Sequence, residues 1–171
     1  MDFEMSDLST EQRYSQLHSQ LSALVEGPLH AVGVLANASA LLREVMGERF
    51  FWVGFYLVEG DRLLLGPFQG SVACYSIARG RGVCGAAWER RATVVVPDVE
   101  QFPGHIACSS LSRSEIVVPL LDAAGKVRGV LDVDSTEPGA FTEADRQGLE
   151  QAAKIIARAI FAGDISTVGC P

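Results

Sequence analysis

The stretch Ser114-Glu115-Ile116-Val117-Val118-Pro119-Leu120-Leu121, Asp122-Ala123-Ala124-Gly125, Lys126-Val127-Arg128-Gly129-Val130-Leu131-Asp132-Val133-Asp134 decides the fold. Its two arms are rich in β-branched and aliphatic residues, and the segment between them carries the Asp and Gly of a turn, so it reads as an antiparallel hairpin. With strands at Glu115 to Leu121 and Lys126 to Asp134, Leu121 pairs with Lys126. That register sets Glu115 directly opposite Asp132, and Asp134 follows two residues on, on the same face. Facing acids repel, so the pair reads as a carboxylate pocket that takes up a cation or shares a proton, and coupling of this kind can leave one carboxylic acid protonated near neutrality. The plainer alternative is a solvated sheet face with slipped register.

A second hairpin lies upstream. Phe50 to Val58 is aromatic and β-branched, and Glu59-Gly60-Asp61 turns it into Arg62 to Pro67. Alternation puts Trp52 and Tyr56 on one face with Gly54 between them, which leaves a notch for a small ligand. Helices flank the strands. Ser9-Thr10-Glu11-Gln12 has the form of a capping box, and Tyr14, Leu17, Leu21, Leu24 and Val25 follow at helical spacing, which predicts a helix over 10–25. Pro28 restarts a helical pattern through Val32, Leu35, Ala36, Leu41, Leu42 and Val45 until Gly47 stops it. Thr142-Glu143-Ala144-Asp145 opens a last helix whose stripe is Leu149, Ala152, Ala153, Ile156 and Ile160. Between Gly66 and Ser114 the chain is rich in Gly and Pro, with a short helix near Val83 to Arg90 and a strand at Thr93 to Val96. Loops of this length are usually functional. The order predicts an α+β domain, an antiparallel β-sheet with helices packed on one face.

Composition narrows the function classes. At 171 residues with 48% hydrophobic content the chain forms one domain with a core of its own. A net charge of −7 disfavours nucleic acid and anionic membranes as partners. Met1-Asp2-Phe3-Glu4-Met5 lacks the basic and apolar regions of a secretory signal, so a cytoplasmic location is expected. Four cysteines are too few to staple a chain this long, which turns attention to their chemistry. Cys84 follows Gly80-Arg81-Gly82-Val83 in the first turn of the short helix, where the dipole favours a thiolate. Cys108 sits in the loop leading to Glu115. The set Cys74, Cys84, His105 and Cys108 lacks the paired C-x-x-C spacing of structural zinc sites, and no metal is expected. Arg79, Arg81, Arg90 and Arg91 lack the phosphate-loop form. His18 and His30 fall in helical patterns, and Cys170 lies next to the C-terminus.

The ordered set Trp52-Val53-Gly54-Phe55-Tyr56, Gly66-Pro67-Phe68-Gln69-Gly70, Ala73-Cys74, Gly80-Arg81-Gly82-Val83-Cys84-Gly85, Phe102-Pro103-Gly104-His105-Ile106-Ala107-Cys108, Ser114-Glu115-Ile116-Val117-Val118-Pro119 and Leu131-Asp132-Val133-Asp134-Ser135 resembles the free methionine-R-sulfoxide reductases, which are GAF-domain enzymes. The match runs from roughly residue 28 to 162 and includes three of the cysteines. A single GAF-like catalytic domain is expected over 10–162, with a flexible N-terminus over 1–9 and a C-terminal tail over 163–171 outside the resemblance.

It also implies roles. Cys108 resembles the nucleophile that attacks the sulfoxide sulfur, releases methionine and becomes a sulfenic acid. Cys74 and Cys84 resemble the thiols that resolve it to a disulfide for thioredoxin to reduce. The order of the two is open, with the helix-end position of Cys84 favouring it in the resting disulfide. Glu115, Asp132 and Asp134 match the acids that hold the substrate's amino group and polarise its S–O bond, and Trp52 and Tyr56 match the aromatic wall. No bound cofactor is implied, thioredoxin is the electron donor, and a homodimer is the assembly suggested. A non-catalytic GAF sensor binding a small metabolite or nucleotide is the competing expectation.

Overall fold

The computed structural model describes residues 8–27, 29–106 and 108–161. The start of the chain through residue 7, the helix restart at Pro28, and the tail with Cys170 lie outside them. Helix α1, Thr10–Leu24, begins at the expected capping box: the Ser9 side chain accepts from the Gln12 backbone N–H while Gln12 reaches back to the Ser9 N–H. Helix α2, Ala31–Met46, ends at Gly47, and a short 3₁₀ turn, Gly47–Arg49, leads into the sheet. Strands β1, Trp52–Glu59, and β2, Arg62–Gln69, form the first hairpin. Strand β3, Ser76–Ala78, helix α3, Gly82–Arg90, and strand β4, Val94–Val96, follow. Strands β5, Ser114–Leu121, and β6, Val127–Ser135, form the second hairpin before helix α4, Glu143–Phe161.

The six strands make one antiparallel sheet in the order β3-β2-β1-β6-β5-β4. This is the expected α+β, GAF-like arrangement. Alternation sends Val53, Phe55, Ile116, Val118, Leu120, Leu131 and Val133 to one face, where α2 and α4 cover them and α1 packs against those two helices. Those three long helices are the layer the sequence predicts. The opposite face, carrying Trp52, Tyr56, Val117 and Val130, is covered by the short α3 and by loops. A thinner layer therefore lies over one side of the sheet, and the candidate site is there.

Three local readings need correction. Strand β3 lies inside the segment read as irregular; it is an edge strand of three residues, too short to leave a period in the sequence. Strand β2 runs to Gln69, two residues past its expected end at Pro67, with Gly66 and Pro67 at an irregularity where its register against β1 shifts, which is where a strand tolerates Pro. The second hairpin is also offset from the predicted pairing. Leu121 pairs with Val127, so the loop is one residue longer than read, and Arg128 then bulges because Leu120 pairs with Gly129. The two one-residue shifts combine to slip the strands by two, so Glu115 faces Asp134 and Asp132 faces Val117. A slip of two keeps every side chain on its face.

One buried carboxylate ties the helical layer to the sheet. Asp145, with no exposed surface, accepts from the Tyr14 hydroxyl at 2.9 Å, from both terminal nitrogens of Arg49 at 2.9 and 2.6 Å, and from the N–H and hydroxyl of Thr142 at 2.9 and 3.0 Å. Nearby, the Tyr14 ring lies against Gly148, where a Cβ would come within 2.3 Å of it. Burial alone raises the pKa of Asp145, but the hydrogen bonds from Arg49 and Thr142 outweigh it and hold the carboxyl below its usual value. With the folded pKa depressed, its contribution is present above the ordinary aspartate range and is lost as pH falls through the folded value.

Replacing Asp145 leaves Arg49 and Tyr14 without their shared acceptor. Asp145→Ala should cost about 3 kcal/mol in urea unfolding at neutral pH, and the gap to the parent should narrow in acid. Arg146→Ala, which breaks only an exposed pair with Glu150, should cost under about 0.5 kcal/mol.

Candidate active site

Three sheet positions on three adjacent strands build the floor. In register, Trp52 of β1, Asp134 of β6 and Glu115 of β5 form one row, and Gly54, Asp132 and Val117 form the next. All point to the face under α3, as the sequence requires for the acids. Gly54 has a steric task here: a Cβ would lie 2.3 Å from Phe68 Cβ and 2.7 Å from the Trp52 ring. Trp52 and Phe68 stack with ring centroids 5.2 Å apart, and Trp52 and Tyr56 lie 6.1 Å apart at 26°. The predicted notch at Gly54 is therefore filled by aromatic rings, and the open space lies beside them.

That space is a cleft with Trp52, Tyr56, Cys84, Cys108, Glu115, Asp132 and Asp134 among its lining residues. The structure thus brings together all but one of the sequence-predicted site residues. The exception is Cys74, which is joined to Cys108 by a disulfide with Cα atoms 5.7 Å apart. Cys84 is the free cysteine among the described residues, and it is buried. The lean toward Cys84 in the disulfide is corrected here. Its helix-end position brings the thiol down onto Asp132, while the loop after β2 carries Cys74 to Cys108. Two side chains anchor that loop: the Trp52 indole N–H donates to Ser71 O at 2.9 Å and the Tyr56 hydroxyl to Cys74 O at 3.1 Å. The Cys74, Cys84, His105 and Cys108 set is accordingly split between a disulfide and separate groups.

The electrostatics follow from burial. Glu115 and Asp132 are 6% and 7% exposed, and Asp134 is half-buried. Burial pushes Glu115 well up, and the charge of Asp134 adds to it. Burial and then Glu115 do the same to Asp132, and burial and then Asp132 to Asp134, which also hydrogen-bonds Ser112. The upward shift expected of one acid in a coupled group is thus the direction for all three. The Cys84 thiol goes the other way from its expected thiolate character. It sits in the first turn of α3, but burial, then Asp132 and Glu115, raise its pKa. An amide dipole of one short helix does not outweigh desolvation beside acids. Asp132 Oδ1 is buried without a hydrogen-bond partner.

Two lining residues carry no assigned role in the sequence reading. His105 Nε2 stands 3.7 Å from Glu115 Oε2, and burial holds its pKa below the usual value. Ser112 reaches Asp134 from the loop before β5. Their nearness in sequence to Cys108 and Glu115 is the signal that pointed to them. The arginines are elsewhere: Arg79 lies over the Trp88 ring at 5.5 Å and Arg91 donates to Gly125 O at 2.7 Å. As a whole the cleft offers carboxyls with raised pKa values, an aromatic wall and a disulfide sulfur, a set chemically suited to binding a small cation-bearing molecule beside a thiol couple.

Residues 33–160 match the family model described as GAF domain. A chain from Dictyostelium discoideum named GAF domain-containing protein A is 51% identical over 91% of this chain and 97% of its own length. The free methionine-R-sulfoxide reductase of Escherichia coli is 49% identical over 81% of this chain and 82% of its own. Among solved structures, the free methionine-R-sulfoxide reductase from Neisseria meningitidis in complex with its substrate superposes with a TM-score of 0.85. It is 48% identical, covering 89% of this chain and 90% of that one.

The raised carboxyl pKa values bear on stability. Where the folded pKa exceeds the unfolded one, stability is full below the ordinary carboxylate range and falls as pH rises toward the folded value. Asp132→Asn removes one contributor, so it should unfold at higher urea than the parent at pH 8, by about 1 kcal/mol, with no gain at pH 4. An unchanged difference across that range would contradict the burial of these groups in proton-bearing form.

Proposed function

The chain belongs to the GAF-domain family of free methionine-R-sulfoxide reductases, and on that footing we propose that it reduces free L-methionine-(R)-sulfoxide to methionine. One observation carries the reading: a disulfide cysteine, Cys108, opens onto a cleft floored by three acids whose pKa values burial raises. A GAF domain that only sensed a metabolite has no use for such a pair of features. In the reduced protein Cys108 is the nucleophile, since it lines the cleft, and Cys74 is the thiol behind it.

The sulfur chemistry then runs in three balanced steps. Cys108 Sγ attacks the sulfoxide sulfur while a carboxyl proton moves to the sulfoxide oxygen, a poor leaving group until protonated. The hydroxyl then passes from the methionine sulfur to Cys108 Sγ as the S–O bond to methionine and the transient sulfur–sulfur bond break, so methionine departs as a thioether and Cys108 is left as a sulfenic acid. The Cys74 thiolate attacks that sulfur, the oxygen leaves as water, and the disulfide forms. A dithiol protein of the thioredoxin class, in the cytoplasm, takes the disulfide back to two thiols and is itself oxidised. The acids have a second task, which is selection. They hold the ammonium group of a free amino acid, and a peptide lacking that charge leaves buried carboxyls unpartnered, at a cost of several kcal/mol. Trp52 and Tyr56 form the wall for the methyl-sulfinyl end.

Mixing the protein with free methionine-R-sulfoxide and dithiothreitol and assaying methionine tests the activity. Cys108→Ser should abolish it, and Glu115→Gln or Asp132→Asn should lower turnover at least roughly ten-fold while the far-ultraviolet circular dichroism is kept. Full activity in Cys108→Ser removes the assignment. A peptide map after one turnover should show the Cys74–Cys108 bond in the parent and in Cys84→Ser. Cys74→Ser should stop at a Cys108 sulfenic acid trapped by dimedone; a Cys84–Cys108 bond in the parent would reverse the two roles.

A further inference from the structure

Cys84 takes no part in the disulfide and no step above uses it, although it is buried in the cleft. Its Sγ, a carboxyl oxygen of Glu115 and a carboxyl oxygen of Asp132 all lie within 4.8 Å of one another. All three side chains are more than nine-tenths buried, and Asp132 Oδ1 has no hydrogen-bond partner. Sulfur and carboxylate oxygen bind zinc at about 2.0–2.3 Å, which sets tetrahedral ligands about 3.5 Å apart. The cluster's 4.8 Å bound is wider than that spacing, so binding an ion draws the three side chains together. The unpartnered oxygen is the further sign that the cluster is built to meet a positive charge, since a buried acceptor left unmet costs free energy.

We propose that Cys84, Glu115 and Asp132 form a site for a thiophilic divalent cation, with Zn²⁺ as the type ion, in the protein whose Cys74 and Cys108 are already joined. On binding, the thiol proton and any carboxyl protons pass to solvent, Cys84 Sγ donates as thiolate, and no electron moves. Sulfur selects the ion: Mg²⁺ and Ca²⁺ prefer all-oxygen sites and gain little from a thiolate. The site coincides with the place assigned to the substrate's ammonium group, so the ion and the amino acid exclude one another; this exclusion rests on the reading under Proposed function, while the binding itself does not. The consequence is an enzyme silenced by a metal during zinc or cadmium excess and released by chelation or by high amino-acid concentration.

Cd²⁺ serves as the probe, because its thiolate bond has an ultraviolet charge-transfer band independent of activity. Titration of the oxidised protein should give one ion per chain with that band, and Mg²⁺ in excess should leave it unchanged. Cys84→Ser should lose the band and Cys170→Ser should keep it. Asp132→Asn, which retains the thiol, should weaken Zn²⁺ binding at least about ten-fold by calorimetry, covering the case that Cys84→Ser fails to fold. A band that survives Cys84→Ser, that follows Cys170, or that is absent from the parent overturns the site. Saturating free methionine should raise the apparent Kd for Zn²⁺ at least about ten-fold. An unmoved Kd overturns the exclusion and leaves the ion site standing, and the metal-free reductase assay separately decides the function.

Discussion

Carboxyl groups do not gather away from water without something to hold them there. Glu115, Asp132 and Asp134 share one face of two paired strands, with Glu115 and Asp132 almost wholly buried; after burial itself, the charge of Asp134 raises the pKa of Glu115, and that of Glu115 raises the pKa of Asp132. Much else in the molecule can be understood as support for that unfavourable arrangement. The strands that carry the acids are central in the sheet, hydrogen-bonded on both edges, so their side chains cannot turn outward without breaking the sheet. Their alternate residues, Ile116, Val118, Leu120, Leu131 and Val133, are sealed under the three long helices. The apolar burial on one face holds in place what electrostatics opposes on the other.

The two faces divide the labour. On the helical side the core is continuous, and Asp145 locks α1, the turn after α2 and α4 with hydrogen bonds that are complete. On the other side the cover is one short helix and loops, and there a buried carboxyl oxygen remains unmet. Satisfied polar groups mark the scaffold and the unsatisfied one marks the site, a contrast visible between two aspartates, Asp145 and Asp132.

Much of this was legible in the sequence because it is local or periodic. The capping box at Ser9, the Thr142–Asp145 contact that opens α4, the stop at Gly47 and the α4 stripe need only helical spacing and side-chain chemistry. The acids were placed on the right face but in the wrong rows, since neither the longer turn nor the bulge at Arg128 has a distinctive composition, and only their sum preserved the face. Alternation put Trp52, Gly54 and Tyr56 together, yet it says nothing of Phe68 on β2, which closes the gap above the glycine. The cysteine pairing was beyond reach for a different reason. Cys74 and Cys108 sit in loops, whose paths are set by distant anchors, and the helix-end argument for Cys84 neglected the desolvation that its own burial imposes. The family resemblance supplied the site residues, and the structure supplied their distances.

The hydrogen bonds from Trp52 to Ser71 and from Tyr56 to Cys74 join two parts of the molecule that a residue inventory keeps apart. The rings that shape the side of the cleft also moor the backbone from which one sulfur is delivered to the other. Under the proposed function, recognition and recycling are mechanically linked through two aromatic side chains. A lineage that reshaped this wall for a different guest would also detune the closing of its own sulfur bridge, which makes the aromatic pair hard to vary one function at a time.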